Sequence, residues 1–316
     1  MLSWEERRSL VKIANLYYND GWTQEQIAKK LGVSRPVISK SLQKAREHKI
    51  IEIFIKDETV HTVNLEKKLE EHFGLEDAIV VPISGQTPDV VKLSVAQAGA
   101  YYLSKNIKKA KKIGISWGTT LEALVQEYPY EMKKNITIFP LEGGLGRKKV
   151  EIHSNQLAYE LAKRLGGTCS YLYAPAMAES SELRERLMKM DDINAVLQEA
   201  ATVDIALVGL SNPYVQSTLE DIGYLNQNDL EQLRQLGVVG DMGFRFFDLN
   251  GNPVNSSFNK KVIGISLEQL RNIKKVIGVV SGAHKAESVL ASLKGNYINV
   301  LVLDEQIATE LLYASE

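Results

Sequence analysis

Apolar residues near the start of the chain recur at helical spacing in two short, closely set runs. Ile27, Ala28 and Leu31 share one side of a first helix, and Ile38, Leu42 and Ala45 share one face of a second. Thr23 stands where an N-cap belongs, with Gln26 three residues on to complete a capping box. Gly32-Val33 makes the bend, and Ser34 caps the second helix, whose first turn tolerates Pro36. The polar face of that helix carries Pro36, Ser39, Lys40, Gln43 and Lys44, without the alternating acids of a solvated surface. Two helices so joined form a helix-turn-helix, the second suited to a major groove. Its expected DNA-binding residues are Thr23, Ser34, Arg35, Ser39, Lys40, Gln43 and Lys44.

Residues 50–56, IIEIFIK, alternate well enough for a strand that closes this unit. A polar connector, DETVHT, leads to VNLEKKLEEHFG, a helix with Val63, Leu65, Leu69 and Phe73 at mixed three- and four-residue spacings. It is either a packing helix of the next domain or part of a dimer seam. The domain boundary is expected near residue 57, giving domains of 1–56 and 57–316.

From residue 77 the pattern changes to short apolar runs alternating with helical stretches. Strands are expected at 78–82, 112–116, 136–140, 170–174, 204–210, 276–282 and 299–304, with helices at 152–165, 284–294 and 305–313 between or after them. Continuous apolar strands separated by helices predict an α/β domain, its mostly parallel sheet covered on both faces.

Charge changes the picture once the chain is divided. The whole carries a net −1, but residues 1–56 hold eleven Lys or Arg against six Asp or Glu. That local balance of +5 leaves −6 on the remaining 260 residues. A basic head on an acidic body suits a protein that meets phosphates at one end only. So small a head binds DNA weakly alone, so a homo-oligomer is expected. The 316 residues fit about two domains, and 44% apolar residues suit a globular core. No apolar run approaches the roughly 20 residues of a membrane span, and MLSWEERRSL lacks a signal-peptide core, so a cytoplasmic chain is expected with no membrane partner. The single cysteine, Cys169, forms no internal disulfide or zinc cluster and is expected as a small core residue in a strand. No metal or cofactor is called for.

In parallel sheets ligands collect at the carboxyl ends of the strands. After KIGIS, Gly118, Thr119 and Thr120 open a helix, where backbone N–H groups and two hydroxyls make a phosphate seat. After ITIFP, Glu142 supplies a carboxylate, and Gly143 and Gly144 permit close ligand approach. After VIGVVSG, Lys285 is available for an anion. The segment VVGDMGFRFFDLNGNPV sets Asp241 beside glycines and ends in a turn at Asn250-Gly251. Glycine between a strand and a helix often marks only a tight turn. Three such strand ends in one domain point to a small anionic ligand.

The order of these segments resembles the SorC/DeoR family of bacterial sugar-responsive transcriptional regulators. The resemblance is carried by LYYNDGWTQEQIAKKLGVSRPVISKSLQKAREHKII, GISWGTT, LEGGLG, GDMGFRFFDLNGNPV and VVSGAHKAESVLASLKGNYINVLVLDEQIA, in the family's order across nearly the whole chain. It implies an all-α, winged-type helix-turn-helix N-terminal domain. It also implies an α/β C-terminal domain similar to glucosamine-phosphate deaminase and ribose-phosphate isomerase folds. A phosphorylated sugar effector, operator DNA and dimers assembling into tetramers follow as partners, with repression of a carbohydrate-utilisation operon as the expected role. By motif, Gly118, Thr119 and Thr120 would hold the phosphate, and Asp241 and Lys285 would contact the sugar or its phosphate. One departure stands out. Where deoxyribose-phosphate-responsive relatives look to have a Schiff-base lysine, and glycolytic-gene relatives an arginine for a second phosphate, this chain has Glu142. Glutamate does neither. It accepts hydrogen bonds from hydroxyls and repels a phosphate, which favours a monophosphorylated sugar or polyol.

The competing class is a sugar-phosphate isomerase or deaminase carrying a DNA-binding head. Such chemistry needs a positioned base and a ring-opening acid. His153 and His284 sit in no recognisable acid/base motif, so no catalytic residue is assigned and a non-enzyme is expected.

Overall fold

The computed structural model describes residues 2–51, 60–83, 85–133, 135–144 and 146–314. Contacts divide the chain into two units, Met1–Val60 and His61–Glu316.

In the first unit three helices, α1 (Trp4–Tyr18), α2 (Gln24–Leu31) and α3 (Arg35–Glu47), enclose Ile13, Leu16, Ile27, Ala28, Ile38 and Leu42. The Thr23 hydroxyl accepts from the Gln26 N–H at 3.2 Å, and the Gln26 side chain accepts from the Thr23 N–H at 2.8 Å, so the capping box forms. Gly32 ends α2 at φ 70°, a left-handed conformation that a side chain would strain. Ser34 stands at the N-cap of α3, but its side chain makes no cap bond. From residue 52 on, the strand expected at 50–56 and the boundary expected near 57 lie outside the described residues.

The second unit is built on a seven-stranded sheet in the order β1-β9-β8-β5-β2-β3-β4, with every pairing parallel. The strands are β1 (Asp77–Val81), β2 (Lys112–Ile115), β3 (Thr137–Pro140), β4 (Thr168–Cys169), β5 (Ile205–Val208), β8 (Lys275–Val280) and β9 (Val300–Asp304). Both faces are covered. Leu301 and Leu303 pack on one side and Val300 and Val302 on the other, as do Ala206 and Val208 against Ile205 and Leu207. β2, β3 and β4 run outward in sequence order, whereas β5 returns to the opposite side of β2. The loops after β2 and β5 therefore diverge and leave a crevice at the carboxyl edge.

The sheet's outer strand is closed by a helix rather than left bare. On α4 (Val60–Phe73), Leu65 and Leu69 pack into the core. One helical turn apart, Glu66 accepts the Val80 N–H at 2.9 Å and Glu70 the Ala78 N–H at 3.1 Å. Two carboxylates thus take alternate N–H groups of an edge strand that would otherwise template association. Packing is what Leu65 and Leu69 do, while Val63 stays exposed.

Two expectations are corrected. Residues 170–174 are not a strand, because β4 stops at Cys169 and the chain leaves the sheet edge. The Asn155 side chain replaces a strand partner, bonding the Leu172 N–H at 2.9 Å and carbonyl at 3.0 Å, while Tyr171 and Tyr173 stack in solvent. Cys169, on that edge strand, is half-buried rather than a core residue. The segment around Asp241 forms an antiparallel hairpin, β6 (Val238–Met242) and β7 (Arg245–Asp248), outside the main sheet. Among the described residues no helix is long and apolar enough to cross a membrane.

Candidate functional site

Ser116, Trp117 and Gly118 follow β2 directly, and a helix (Thr119–Glu127) starts at once. No side chain caps this helix, so its leading N–H groups face outward. After β5 come Gly209, Leu210 and Ser211, from the loop after β8 comes Lys285, from β6 comes Asp241 and from the β6–β7 turn Gly243. These groups line one cavity of about 50 Å³ together with Trp117, Gly118, Thr119, Thr120, Gln216 and Thr218. The structure thus brings Gly118, Thr119, Thr120, Asp241 and Lys285 together from three separate segments of the chain.

Each loop is held by its own sequence. The Ser211 hydroxyl donates to the Asp241 carboxylate, and their backbones form an isolated antiparallel bridge, N to O 3.1 and 3.2 Å. Asn212 donates to the His284 carbonyl at 2.8 Å, and the Gly282 N–H donates to Asp304 at 2.7 Å, fixing the loop that carries Lys285. Beneath the cavity, Trp117 stacks on Phe244 with centroids 4.9 Å apart.

The ionisable groups carry the mark of burial. Asp241 is pushed up to about 6, against the opposing hydrogen bonds of Ser211 and the Phe244 N–H. Lys285 is pulled down to about 8 by burial, with the carboxylates of Asp304 and Asp241 acting the other way. Both sit in a site where the charged form is disfavoured until a partner arrives.

Glu142 lies elsewhere. Only 2% exposed, it lines an adjoining cavity of about 20 Å³ with Ser116 and Arg245, which shares Gly243 with the first. The Ser116 hydroxyl donates to it at 3.1 Å, and burial lifts its carboxyl to about 8. Arg245, also held down to about 10 by burial, donates to the carbonyls of Asn259 (2.8 Å), Gly264 (3.0 Å) and Ile265 (3.2 Å). Gly143 and Gly144 do not line the Thr119–Lys285 cavity. A Cβ on Gly143 would come within 2.4 Å of the Pro175 carbonyl, so this glycine admits the chain's own backbone. Gly144 bridges to Pro175. His153 is buried with its ring on the Lys148 carbonyl at 3.0 Å.

On the helical unit, Thr23, Ser34, Arg35, Ser39, Lys40 and Gln43 are exposed. Thr23 is engaged in its capping box, and Gln43 donates to Glu47 at 3.1 Å. Lys44 pairs with Glu6 of α1. Sequence reasoning passed over Trp117, Ser211, Gln216, Gly243 and Arg245. Trp117, Gly243 and Arg245 stood inside quoted motifs; Ser211 and Gln216 lie in a loop without any pattern to mark them.

Comparison with known proteins agrees with this architecture. Residues 57–313 match the Sugar-bind domain family, a sugar-binding domain. The chain is 30% identical over 310 residues to the sorbitol operon regulator of Klebsiella pneumoniae, covering 98% of each. It is equally 30% identical, over 98% of each chain, to the deoxyribonucleoside regulator of Bacillus subtilis strain 168. The crystal structure of the full-length Klebsiella pneumoniae regulator SorC superposes with a TM-score of 0.77 over 98% of this chain and 99% of that one, at 30% identity. A DeoR family transcriptional regulator from Listeria monocytogenes is 44% identical with a TM-score of 0.76, over 79% of this chain and 99% of that chain. The chain belongs to the SorC/DeoR family of transcriptional regulators, with a Sugar-bind domain, and is not an enzyme.

Proposed function

We propose that this protein represses a carbohydrate-utilisation operon and is controlled by a phosphorylated sugar or polyol bound in the Thr119–Lys285 cavity. The observation that carries the reading is convergence. An uncapped helix N-terminus, two threonine hydroxyls and a half-buried lysine line one cavity at the switch point of a parallel sheet. A phosphate dianion there would take Thr119 and Thr120 as donors and restore charge to Lys285. Asp241 accepts from a sugar hydroxyl. Glu142, mainly protonated at neutral pH, fixes Ser116 behind the cavity and reaches a ligand only if the wall at Gly243 opens. The relatives' names, a sorbitol operon regulator and a deoxyribonucleoside regulator, support a sugar-derived signal.

The helical unit is the DNA-binding head. Arg35, Ser39, Lys40 and Gln43 of α3 face the major groove, and Lys44 reaches a phosphate once it leaves Glu6. Paired heads in a dimer or tetramer read a pseudo-palindromic operator. Charge-assisted hydrogen bonds are worth roughly 1.5–3 kcal/mol each. Thr119→Ala and Lys285→Ala therefore weaken a sugar-phosphate effector about tenfold to a hundredfold while keeping operator affinity. Fluorescence anisotropy on operator DNA, titrated with a sugar-phosphate panel, measures both. A normal response in Thr119→Ala, or a preference for unphosphorylated sugars, refutes the phosphate seat.

A further inference from the structure

The leading end of α3 presents apolar side chains to solvent. Val33, in the turn before it, is 40% exposed and Val37, in its first turn, 46%, with Pro36 exposed between them. Single exposed valines are ordinary on a protein surface. Val37, however, stands where a helix start has a better use for the position. In α2 the third residue after the N-cap is Gln26, whose side chain accepts from the Thr23 N–H. In α3 the corresponding residue is Val37, and Ser34 at the N-cap makes no side-chain bond. A β-branched apolar residue there forgoes the capping box. It adds nothing to the core either, which Ile38, Leu42 and Ala45 reach from another face of the helix. The stability of the helical unit therefore gives no reason for this valine.

Its surroundings indicate the chemistry of a partner. Val37 lies about 60° round the helix from Lys40 and about 20° from Lys44. No acid occupies the first turn of α3, and Arg35 is exposed at its start. A helix-turn-helix sets the N-terminal residues of its second helix against base edges. An apolar group exposed among cations at that point matches the apolar feature of the major groove, the C5-methyl of thymine.

We propose that Val37 is a specificity-determining residue of the head, packing on a thymine methyl close to the base pair that Arg35 reads. The head then distinguishes thymine from uracil at a position where both form the same base pair with adenine. The proposal rests on the reading of α3 as the recognition helix.

The test uses the full-length protein, which first selects duplexes from a randomised pool. The enriched duplex is remade with deoxyuridine at one thymine position at a time, and affinities are read by fluorescence anisotropy. Loss of one packed methyl should weaken the wild type about three- to tenfold at one thymine of each half-site. Val37→Ala should lose a similar factor on the thymine duplex and bind the thymine and uracil forms alike. Val37→Thr, which keeps one γ-methyl, should retain most of the discrimination. Alanine at this exposed position is the better helix former, so thermal unfolding of Val37→Ala should match the wild type. A wild type insensitive to uracil at every position, or equal uracil sensitivity in the wild type and Val37→Ala, overturns the methyl contact. In either case a loss of affinity in Arg35→Ala leaves the recognition helix standing. Unchanged affinity in Arg35→Ala, Lys40→Ala and Val37→Ala together overturns the recognition helix and the methyl contact with it.

Discussion

Glu142→Gln removes a buried ionisable group while keeping an oxygen that can accept from Ser116 and from the Trp117 N–H. In the unfolded chain this carboxyl titrates near its ordinary 4.5, and in the folded protein burial holds it at about 8. Between those values the unfolded chain releases a proton that the folded one retains. Stability therefore falls as pH rises, by about 1.4 kcal/mol per pH unit. The penalty is nil below the unfolded value, where both states are protonated. It reaches roughly 3 kcal/mol at pH 7 and levels off above about pH 8, where both are ionised. The amide escapes it. Asp241 has the same sign of shift but is present in both proteins, so its effect largely cancels in the comparison. Thermal unfolding at pH 5, 6, 7 and 8 reads the difference. The variant should match the wild type near pH 5 and exceed it by about 6–12 °C at pH 7, taking roughly 2–4 °C per kcal/mol for a unit of this size. A difference that stays constant over this range, or one that shrinks as pH rises, refutes the assignment of a buried, protonated carboxyl.

The carboxylates on α4 predict a local effect. In the double variant Glu66→Ala, Glu70→Ala, the Val80 and Ala78 amides should lose hydrogen-exchange protection and the unit about 1–3 kcal/mol of stability, whereas unchanged exchange would show that water already serves that edge. For the head, Arg35→Ala or Gln43→Ala should cost roughly 1–3 kcal/mol on operator DNA in an anisotropy titration if a base edge is read. Lys44→Ala should weaken all sequences alike and lower the salt slope, and operator affinity unchanged in all three variants would remove α3 from the interface.

Strands buried on both faces were legible because the residues in their middles are all apolar. β5 and β9 emerge from 204–210 and 299–304, trimmed at their ends where loops begin. The turn between α2 and α3 was legible because capping is local: Thr23, Gln26 and Gly32 each act within a few residues. The run SYLYA misled for a physical reason. Its alternation is real, with Leu172 buried and Tyr173 exposed, but a side-chain amide from Asn155 satisfies the backbone instead of a neighbouring strand. The β6–β7 pairing was hidden because its alternation is broken by a bulge between Val238 and Gly240, and its turn, Gly243-Phe244, is set by tertiary contacts. Of the site, the residues at strand ends could be found from pattern. Gly143 shows the limit, since sequence reveals that something approaches a glycine closely but not that the Pro175 carbonyl is there.

Electrostatics sets the direction in which a ligand lies. Burial disfavours the charged forms of both Lys285 and Asp241, but a phosphate acts on them oppositely. Beside Lys285 it offsets the desolvation of the ammonium. Beside Asp241 it would raise a carboxyl already pushed up to about 6 and turn it into a donor. On the proposed reading the anionic end therefore belongs with Thr119, Thr120 and Lys285, and a hydroxyl belongs on Asp241. Charge alone, on that reading, orders a phosphorylated ligand, because the same burial that makes Lys285 gain from an anion makes Asp241 lose by one.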